Sequence, residues 1–133
     1  MELNHLSSQV IKAAINVHKE LGPGLLESVY HSCMVIELNY LDIGVQSEVA
    51  LPIYYRGEEI HKAGFRIDLL VEDTIIVELK SVEQVKNVHK KQLLTYLRLA
   101  QKPLGLLLNF NECVLRDGIN RIINTNTKAE QFA

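Results

Sequence analysis

Apolar residues recur at every second position in two neighbouring stretches, residues 65–71 and 75–80. This alternation predicts the two strands of a hairpin. A two-residue turn would put the two apolar sets on opposite faces of the sheet, whereas a three-residue turn at 72–74 puts them on one face and sets Asp68 opposite Glu78. The three-residue turn is therefore predicted. The shared apolar face then carries Ile67, Leu69, Val71, Ile75, Val77 and Leu79.

Apolar positions at helical spacing predict three helices around this hairpin. The first starts near Ser7, which can cap it, and ends at the break formed by residues 22–24. The second runs from Glu27 to about Leu41, and the third from about Gln84 to Ala100. On the second helix, the side chains that we expect to face the core are Leu26, Val29, Cys33, Ile36 and the apolar residues of 38–41.

Four further stretches have the alternation or the continuous apolar character of strands. Residues 104–110 are apolar almost throughout, as expected of a strand covered on both faces. Pro52, in one of the other stretches, suits an edge strand or a bulge. These elements predict an α/β fold with a central mixed sheet flanked by helices, formed by one domain spanning residues 1–133. The predicted additional strands are residues 45–55, a short one near 60, 104–110 and 119–123.

The polar face of the predicted hairpin carries Asp68, Glu78 and Lys80. Two carboxylates held side by side repel each other and resist joint ionisation, but a hard cation between them reverses that balance. With Mg²⁺ or Mn²⁺ bound there, Lys80 could orient a water or a phosphate, which is the chemistry of phosphodiester hydrolysis. The alternative is an ordinary surface hairpin with a salt bridge.

Two helices add polar residues to this site. His89, Gln92 and Tyr96 form one stripe on the third helix, because residues three and four apart share a face. The stripe could face the carboxylates and contact a phosphate or a water, or it could be a partly exposed amphipathic face. Glu27 and Tyr30 open the second helix, where the helix dipole alone is a sufficient reason for a carboxylate.

At these positions the chain resembles a known family. The segment 24–30, Gly-Leu-Leu-Glu-Ser-Val-Tyr, matches the signature of the GxxExxY proteins, a bacterial and archaeal group placed in the PD-(D/E)XK nuclease superfamily. The resemblance covers nearly the whole chain and continues through residues 65–71, 77–81 and 92–97 to 105–110. It implies a restriction-endonuclease-like core and a metal-dependent nuclease.

The resemblance also implies roles for individual residues. Asp68 corresponds to the metal-binding aspartate of the superfamily, and Glu78 with Lys80 to its Glu-x-Lys pair. Glu27 resembles a helix glutamate that serves as a further metal ligand, and the backbone carbonyl of Leu79 is a further ligand. Gln92 and Tyr96 resemble the Gln-x-x-x-Tyr element of the RecB-like branch, which helps to position the active site and nucleic acid. The expected catalytic set is therefore Asp68, Glu78, Lys80, Gln92 and Tyr96.

Charge argues against strong binding to bare nucleic acid. The formal net charge is −2 and the isoelectric point is near 6.2, whereas non-specific DNA binding normally requires a basic surface. A local basic face could still exist around the third helix, or its lysines could be an ordinary solvated surface. We expect contact with nucleic acid, DNA before RNA, at Tyr30, His89, Lys90 and Lys91.

The sequence also indicates where the protein acts and leaves its partners open. No apolar stretch approaches the length of a membrane span, and there is no basic run followed by an apolar segment at the amino terminus, so a cytoplasmic protein is expected. A homodimer and a targeting partner both stay open. The competing interpretation is a module that binds nucleic acid or protein, keeps the nuclease fold and performs no turnover.

Overall fold

The structure, a computed structural model, describes residues 1–125, and for residues 61–64 it describes the backbone alone. The helices are α1 (Leu3–Leu21), α2 (Glu27–Tyr40) and α3 (Asn87–Ala100). The strands are β1 (Val45–Tyr55), β2 (Glu58–Val71), β3 (Ile75–Lys80), β4 (Leu104–Asn109) and β5 (Ile119–Ile123), and one turn of 3-10 helix, Leu115–Gly118, precedes β5.

In the described part of the chain, the five strands form one sheet in the order β1-β2-β3-β4-β5. Strands β3 and β4 are parallel and are connected through α3, whereas the other neighbouring pairs are antiparallel. The predicted α/β fold with a mixed sheet and flanking helices is confirmed. The prediction that 104–110 joins the sheet beside the hairpin is also confirmed, because β4 pairs with β3, and every residue of β4 is buried.

Two hydrophobic cores lie on opposite faces of the sheet. One contains the buried sides of α1 and α2 together with Leu69, Val77 and Leu106 of the sheet. The other contains α3, through Leu93 and Leu97, packed on sheet residues that include Leu70, Ile76 and Leu107. Within residues 1–125, no helix has both the length and the apolar character required to cross a membrane.

The predicted hairpin turn is confirmed. Strand β2 ends at Val71, β3 begins at Ile75, and the antiparallel pairs Val71–Ile75 and Leu69–Val77 set the register in which Asp68 lies opposite Glu78. Five of the six expected side chains of the apolar face belong to the core under α1 and α2.

The expectation for Ile67 is wrong, because this side chain belongs to the α3 core. Its strand is irregular at the neighbouring position: the ladder of β1 with β2 pairs Ser47 with Leu69 and Val49 with Ile67, but omits the intervening pair. Glu48, in that gap, has a left-handed backbone with φ 55°. Such an interruption twists a strand pair locally and changes which face its side chains occupy.

Helix boundaries and faces also differ from expectation. Helix α1 begins at Leu3 and not near Ser7, because the Glu2 carboxylate accepts hydrogen bonds from the amides of Asn4 and His5 and caps the helix. On helix α2 the expected core stripe is confirmed for Leu38, which is buried, and for Cys33 and Leu41, which pack against the core. It is wrong for Leu26, Val29 and Ile36, which are exposed, because α2 buries Tyr30 and Met34 instead. The short strand expected near 60 is part of the long β2, and the tail after 125 lies outside the described residues.

Candidate active site

Two carboxylates bridge β2 and β3 where the backbone pairing of the two strands stops. Glu78 Oε2 accepts a hydrogen bond of 2.8 Å from the Asp68 amide, and Asp68 Oδ2 accepts one of 2.8 Å from the Leu79 amide. Each carboxylate therefore crosses to the opposite strand and takes the place of a ladder hydrogen bond. This arrangement holds both groups on neighbouring backbones and leaves Asp68 Oδ1 and Glu78 Oε1 outside these two bonds.

The pKa of Glu78 is raised from 4.5 to about 8. The largest cause is burial, which removes the carboxylate from water, and the next is the negative charge of Asp68. The hydrogen bond from the Asp68 amide and the ammonium of Lys80 act in the opposite direction without cancelling the first two effects. Without a further positive charge, the fold thus favours a protonated Glu78 near neutral pH.

Tyr96 faces this carboxylate pair from α3. Its ring is buried, with its centroid 6.0 Å from that of Phe65. The pKa of its hydroxyl is raised, first by burial and then by the negative charges of Glu78 and Asp68. Both carboxylates therefore act electrostatically on the Tyr96 hydroxyl.

Hydrogen bonds connect the start of α2 and the loop before it to Ser81, the residue that follows β3. Ser81 Oγ donates to the Leu25 carbonyl at 2.6 Å, and the Ser81 amide donates to Glu27 Oε2 at 3.3 Å. The Tyr30 hydroxyl closes the same loop, because it donates to the Gly22 carbonyl at 2.6 Å and accepts from the Leu25 amide at 3.1 Å. These bonds bring Glu27, in the first turn of α2, to the end of the strand that carries Lys80.

Tyr30 therefore has a structural position. It is fully buried and its ring stacks on Phe110, with centroids 4.5 Å apart. The expectation that Tyr30 contacts nucleic acid is wrong for this reason, because the buried ring and the bonded hydroxyl leave nothing exposed to a ligand. The spacing of Glu27 and Tyr30 serves instead to lock the loop that presents Glu27.

A polar cavity of about 300 Å³ opens on the α2 side of the carboxylates. Glu27 and Asp68 line it together with Leu79. Two side chains that sequence reasoning did not select, His31 and Glu48, line it as well, and His31 Nε2 lies at 2.5 Å from Ser47 Oγ. The sequence signal for His31 was its spacing four residues after Glu27, which places both on one helix face.

Asn109 is a second residue that sequence reasoning missed. It is buried at the end of β4, where its Oδ1 accepts from the amides of Val82 and Asn111 and its Nδ2 donates to the Val82 carbonyl at 2.9 Å. The Phe110 amide also donates to the Lys80 carbonyl at 2.9 Å. Asn109 thus fixes the loop that follows Lys80. A polar residue ending an otherwise apolar strand was the available signal.

The third-helix stripe is only partly brought to the site. Tyr96 is buried against the sheet and its pKa is affected by both carboxylates, whereas the Gln92 side chain is exposed and makes no hydrogen bond with the described residues. His89 is half-buried, and its Nδ1 accepts a hydrogen bond of 3.1 Å from the Lys86 amide, so it caps the start of α3. Lys90 is half-buried and Lys91 is exposed on the same helix.

The oxygen donors of this site suit a hard cation. Asp68 and Glu78 each keep one carboxylate oxygen outside the bonds described above, and Glu27 lines the same cavity as Asp68. Mg²⁺ prefers such oxygen ligands and retains several waters, so it needs few protein ligands. Among the side chains that the structure describes, which exclude those of 61–64, no three from His, Cys, Asp or Glu are already grouped closely enough to hold a metal. The donor chemistry therefore fits a hard cation, but Glu27, the third candidate ligand, is not already close enough to the two carboxylates to complete the site.

A family model described as the PD-(D/E)XK nuclease superfamily matches residues 4–122. No curated protein and no solved structure matched the chain. The matched range contains both carboxylate-bearing strands, the helix that carries Glu27 and the helix that carries Tyr96.

Proposed function

The chain belongs to the PD-(D/E)XK nuclease superfamily, and from this premise we propose that it is a Mg²⁺- or Mn²⁺-dependent phosphodiesterase that cleaves nucleic acid, DNA before RNA. Membership of the superfamily suggests nuclease activity. The observation that supports a metal-dependent reaction most directly is the bridged pair of Asp68 and Glu78. The pair holds two partly buried carboxylates together, although Lys80 alone does not offset the effects that raise the pKa of Glu78.

In this proposal, Asp68, Glu78 and Glu27 are the side-chain ligands of the cation, and Leu79 adds its backbone carbonyl. The chemistry that a divalent cation supplies in such a site is stabilisation of charge on the phosphate and a lower pKa of a bound water. Each bridging hydrogen bond fixes one carboxylate oxygen and thereby directs the other. The positions of the ligands are thus set by the backbone of β2 and β3, which limits reorganisation on binding.

Lys80 is the proposed orienting cation. Its side chain acts on Glu78 electrostatically, and within the described residues it forms no ion pair. An ammonium group that is not committed to an internal carboxylate can hold a phosphate oxygen or the attacking water. Tyr96, and Gln92 from the exposed first half of α3, form the supporting polar face, with Lys90, Lys91 and His89 toward the nucleic acid.

His31 joins this set as a proposed substrate contact. It lines the cavity shared by Glu27 and Asp68, and its bond with Ser47 holds the imidazole between α2 and β1. We place the scissile phosphate in this cavity, because one wall carries the proposed metal ligands and the other carries hydrogen-bonding side chains.

Within the superfamily, we propose that the chain is a member of the GxxExxY group. We also propose a bacterial or archaeal source and a cytoplasmic site of action.

The test is cleavage of labelled single- and double-stranded DNA and RNA with Mg²⁺, Mn²⁺ or EDTA. The native chain is compared with Lys80→Ala and Asp68→Asn, and with Lys12→Ala as the matched control, because Lys12 is exposed on α1. We expect metal-dependent cleavage by the native chain and the control, and a loss of at least about 100-fold in both site variants. Circular dichroism verifies that each variant is folded.

The competing function is a binding module that keeps the fold without turnover. A chain that neither cleaves any substrate nor binds Mg²⁺ or Mn²⁺ in calorimetry, while still binding nucleic acid or protein, would favour that module and overturn the proposed enzyme. Cleavage that survives equally in Lys80→Ala and Asp68→Asn would refute the assigned site.

A further inference from the structure

The outward face of α2 is apolar and lies away from the candidate active site; of its side chains, Cys33 is partly buried and also packs against the α1–α2 core. We call its residues, Leu26, Val29, Cys33, Ile36 and Tyr40, the α2 seam. Leu26 is 74% exposed, Ile36 68% and Tyr40 83%, and Val29 is 37% exposed. At 100° per residue, the seam lies on a different face from the buried residues of α2 and from the face that carries Glu27 and His31.

The spacing of the seam is that of a helix-pairing surface. Its residues are separated by three, four, three and four positions, which is the 3.5-residue repeat by which two helices pack side by side. Among the positions that border the seam, Ser32 and Asn39 are uncharged, whereas the α1 side carries two carboxylates, Glu37 of α2 and Glu20 of α1. Depletion of charge is characteristic of the centre of a protein interface.

A groove between α1 and α2 adds depth to this surface. It has a volume of about 410 Å³, and Val17 and Leu21 of α1 line it together with Cys33 and Ile36 of the seam. A side chain from a helix lying along the seam could enter the groove. Exposed apolar patches of several hundred square ångströms commonly mark interaction surfaces.

We propose that the α2 seam is a homodimer interface, in which α2 pairs antiparallel with α2 of a second copy about a two-fold axis at Cys33. A symmetric dimer uses the same surface on both copies. The seam suits this use because its own residues are uncharged, and the neighbouring charges are limited to Glu37 and Glu20 at the groove on its α1 side.

The orientation follows from the charge and size of the side chains. Parallel pairing would place Glu37 beside Glu37 of the second copy, whereas antiparallel pairing about Cys33 separates them by eight positions, or roughly 12 Å along the helix. The antiparallel register also sets Leu26 against Tyr40 of the second copy. The largest exposed side chains of the seam then cover each other at both ends of the interface.

The available area is compatible with a dimer of moderate affinity. Taking about 150–200 Å² for each fully exposed large apolar residue, the seam and the adjoining Leu25 expose on the order of 500 Å² per copy. Two copies would bury about 1,000 Å², which is the lower bound for a specific interface. We therefore expect a reversible dimer in the micromolar range. This inference is independent of the proposed nuclease activity.

Sedimentation velocity from about 1 to 200 µM tests the interface. The native chain is compared with Ile36→Glu, which introduces a charge at the seam, and with Val88→Glu, a matched change at a 61% exposed position of α3. We expect dimer formation by the native chain and by Val88→Glu. We expect Ile36→Glu to weaken dimer association at least about 100-fold, so that this variant is monomeric. A native chain that stays monomeric at 200 µM, or an Ile36→Glu chain that still dimerises, would overturn the proposal.

Thiol cross-linking tests the two-fold axis without altering the seam. The exposed Cys113 is replaced by Ser, so that Cys33 is the remaining cysteine. A short bis-maleimide should then join two chains through Cys33, and adding Ile36→Glu should abolish the product. Absence of the cross-link in a chain that sediments as a dimer would overturn antiparallel pairing at Cys33, and this result stands even if Ile36→Glu fails to fold.

Discussion

Replacing Glu78 by Gln should stabilise the metal-free protein at alkaline pH. The folded chain raises the pKa of Glu78 from 4.5 to about 8, first through burial and second through the charge of Asp68. An acid with a raised pKa favours folding while it is protonated. Its contribution is fully present below pH 4.5 and is lost as the pH rises through about 8.

The size of the effect follows from the same two values. At about 1.36 kcal/mol for each pH unit, the difference between 4.5 and about 8 corresponds to roughly 4–5 kcal/mol of unfolding free energy. Gln is neutral at every pH, and its side-chain oxygen can still accept the hydrogen bond from the Asp68 amide. We therefore expect the variant and the native chain to be similar near pH 4.5, and the variant to be more stable by up to that amount above pH 8.

The assay is urea unfolding in EDTA at several pH values between 5 and 9. The chain contains no tryptophan, so circular dichroism of the helices is the appropriate signal. Glu59→Gln is the matched control, since Glu59 is exposed on β2, and its stability should parallel that of the native chain. A difference between Glu78→Gln and the native chain that stays constant from pH 5 to 9 would falsify the argument that this carboxylate is held at a raised pKa.

Three further predictions concern the site and its supports. Mg²⁺ must displace the proton of Glu78, so the affinity of the chain for Mg²⁺, measured by calorimetry, should rise about tenfold per pH unit between pH 6 and 8 and level off above pH 8. An Mg²⁺ affinity that does not change with pH would contradict binding at this carboxylate. Asn109→Ala removes three hydrogen bonds, two of which fix the loop after Lys80 through Val82, so urea unfolding should reveal a loss of about 2–3 kcal/mol and limited proteolysis should cut that loop faster; a loss below about 0.5 kcal/mol would refute this role. Tyr30→Phe keeps the stack on Phe110 but loses the hydroxyl that closes the loop before Glu27, so it should cost about 1 kcal/mol and weaken Mg²⁺ binding, whereas unchanged Mg²⁺ affinity would separate Tyr30 from the metal site.

Residue spacing determined the arrangement of the two carboxylates. Strict alternation along two short strands, with an odd number of residues between them, leaves one register in which both apolar sets share a face. Asp68 therefore lies opposite Glu78 in the structure, as the sequence predicts. The position of β4 inside the sheet could likewise be predicted from the sequence, because a strand whose six residues are all buried must be covered on both faces.

Spacing did not determine which histidine lines the site. His89 shares a helix face with Tyr96, and the sequence favoured it, but its ring nitrogen is used to cap α3. His31 lines the cavity instead, since the packing of α2 over the sheet turns the first-turn face of that helix toward Asp68. Such a choice depends on contacts between elements distant in the chain.

The chain by itself therefore determined local order: which segments form helices and strands, the hairpin register and the pairing of Asp68 with Glu78. Tertiary structure alone decided which apolar face of α2 is buried, since both Tyr30 with Leu38 and the α2 seam have helical spacing. It also decided that Ile67 packs in the core under α3, and that the Asn109 side chain forms hydrogen bonds with the loop after Lys80. The physical reason is that periodicity records the repeat of one element, whereas burial depends on which surfaces the rest of the fold brings against it.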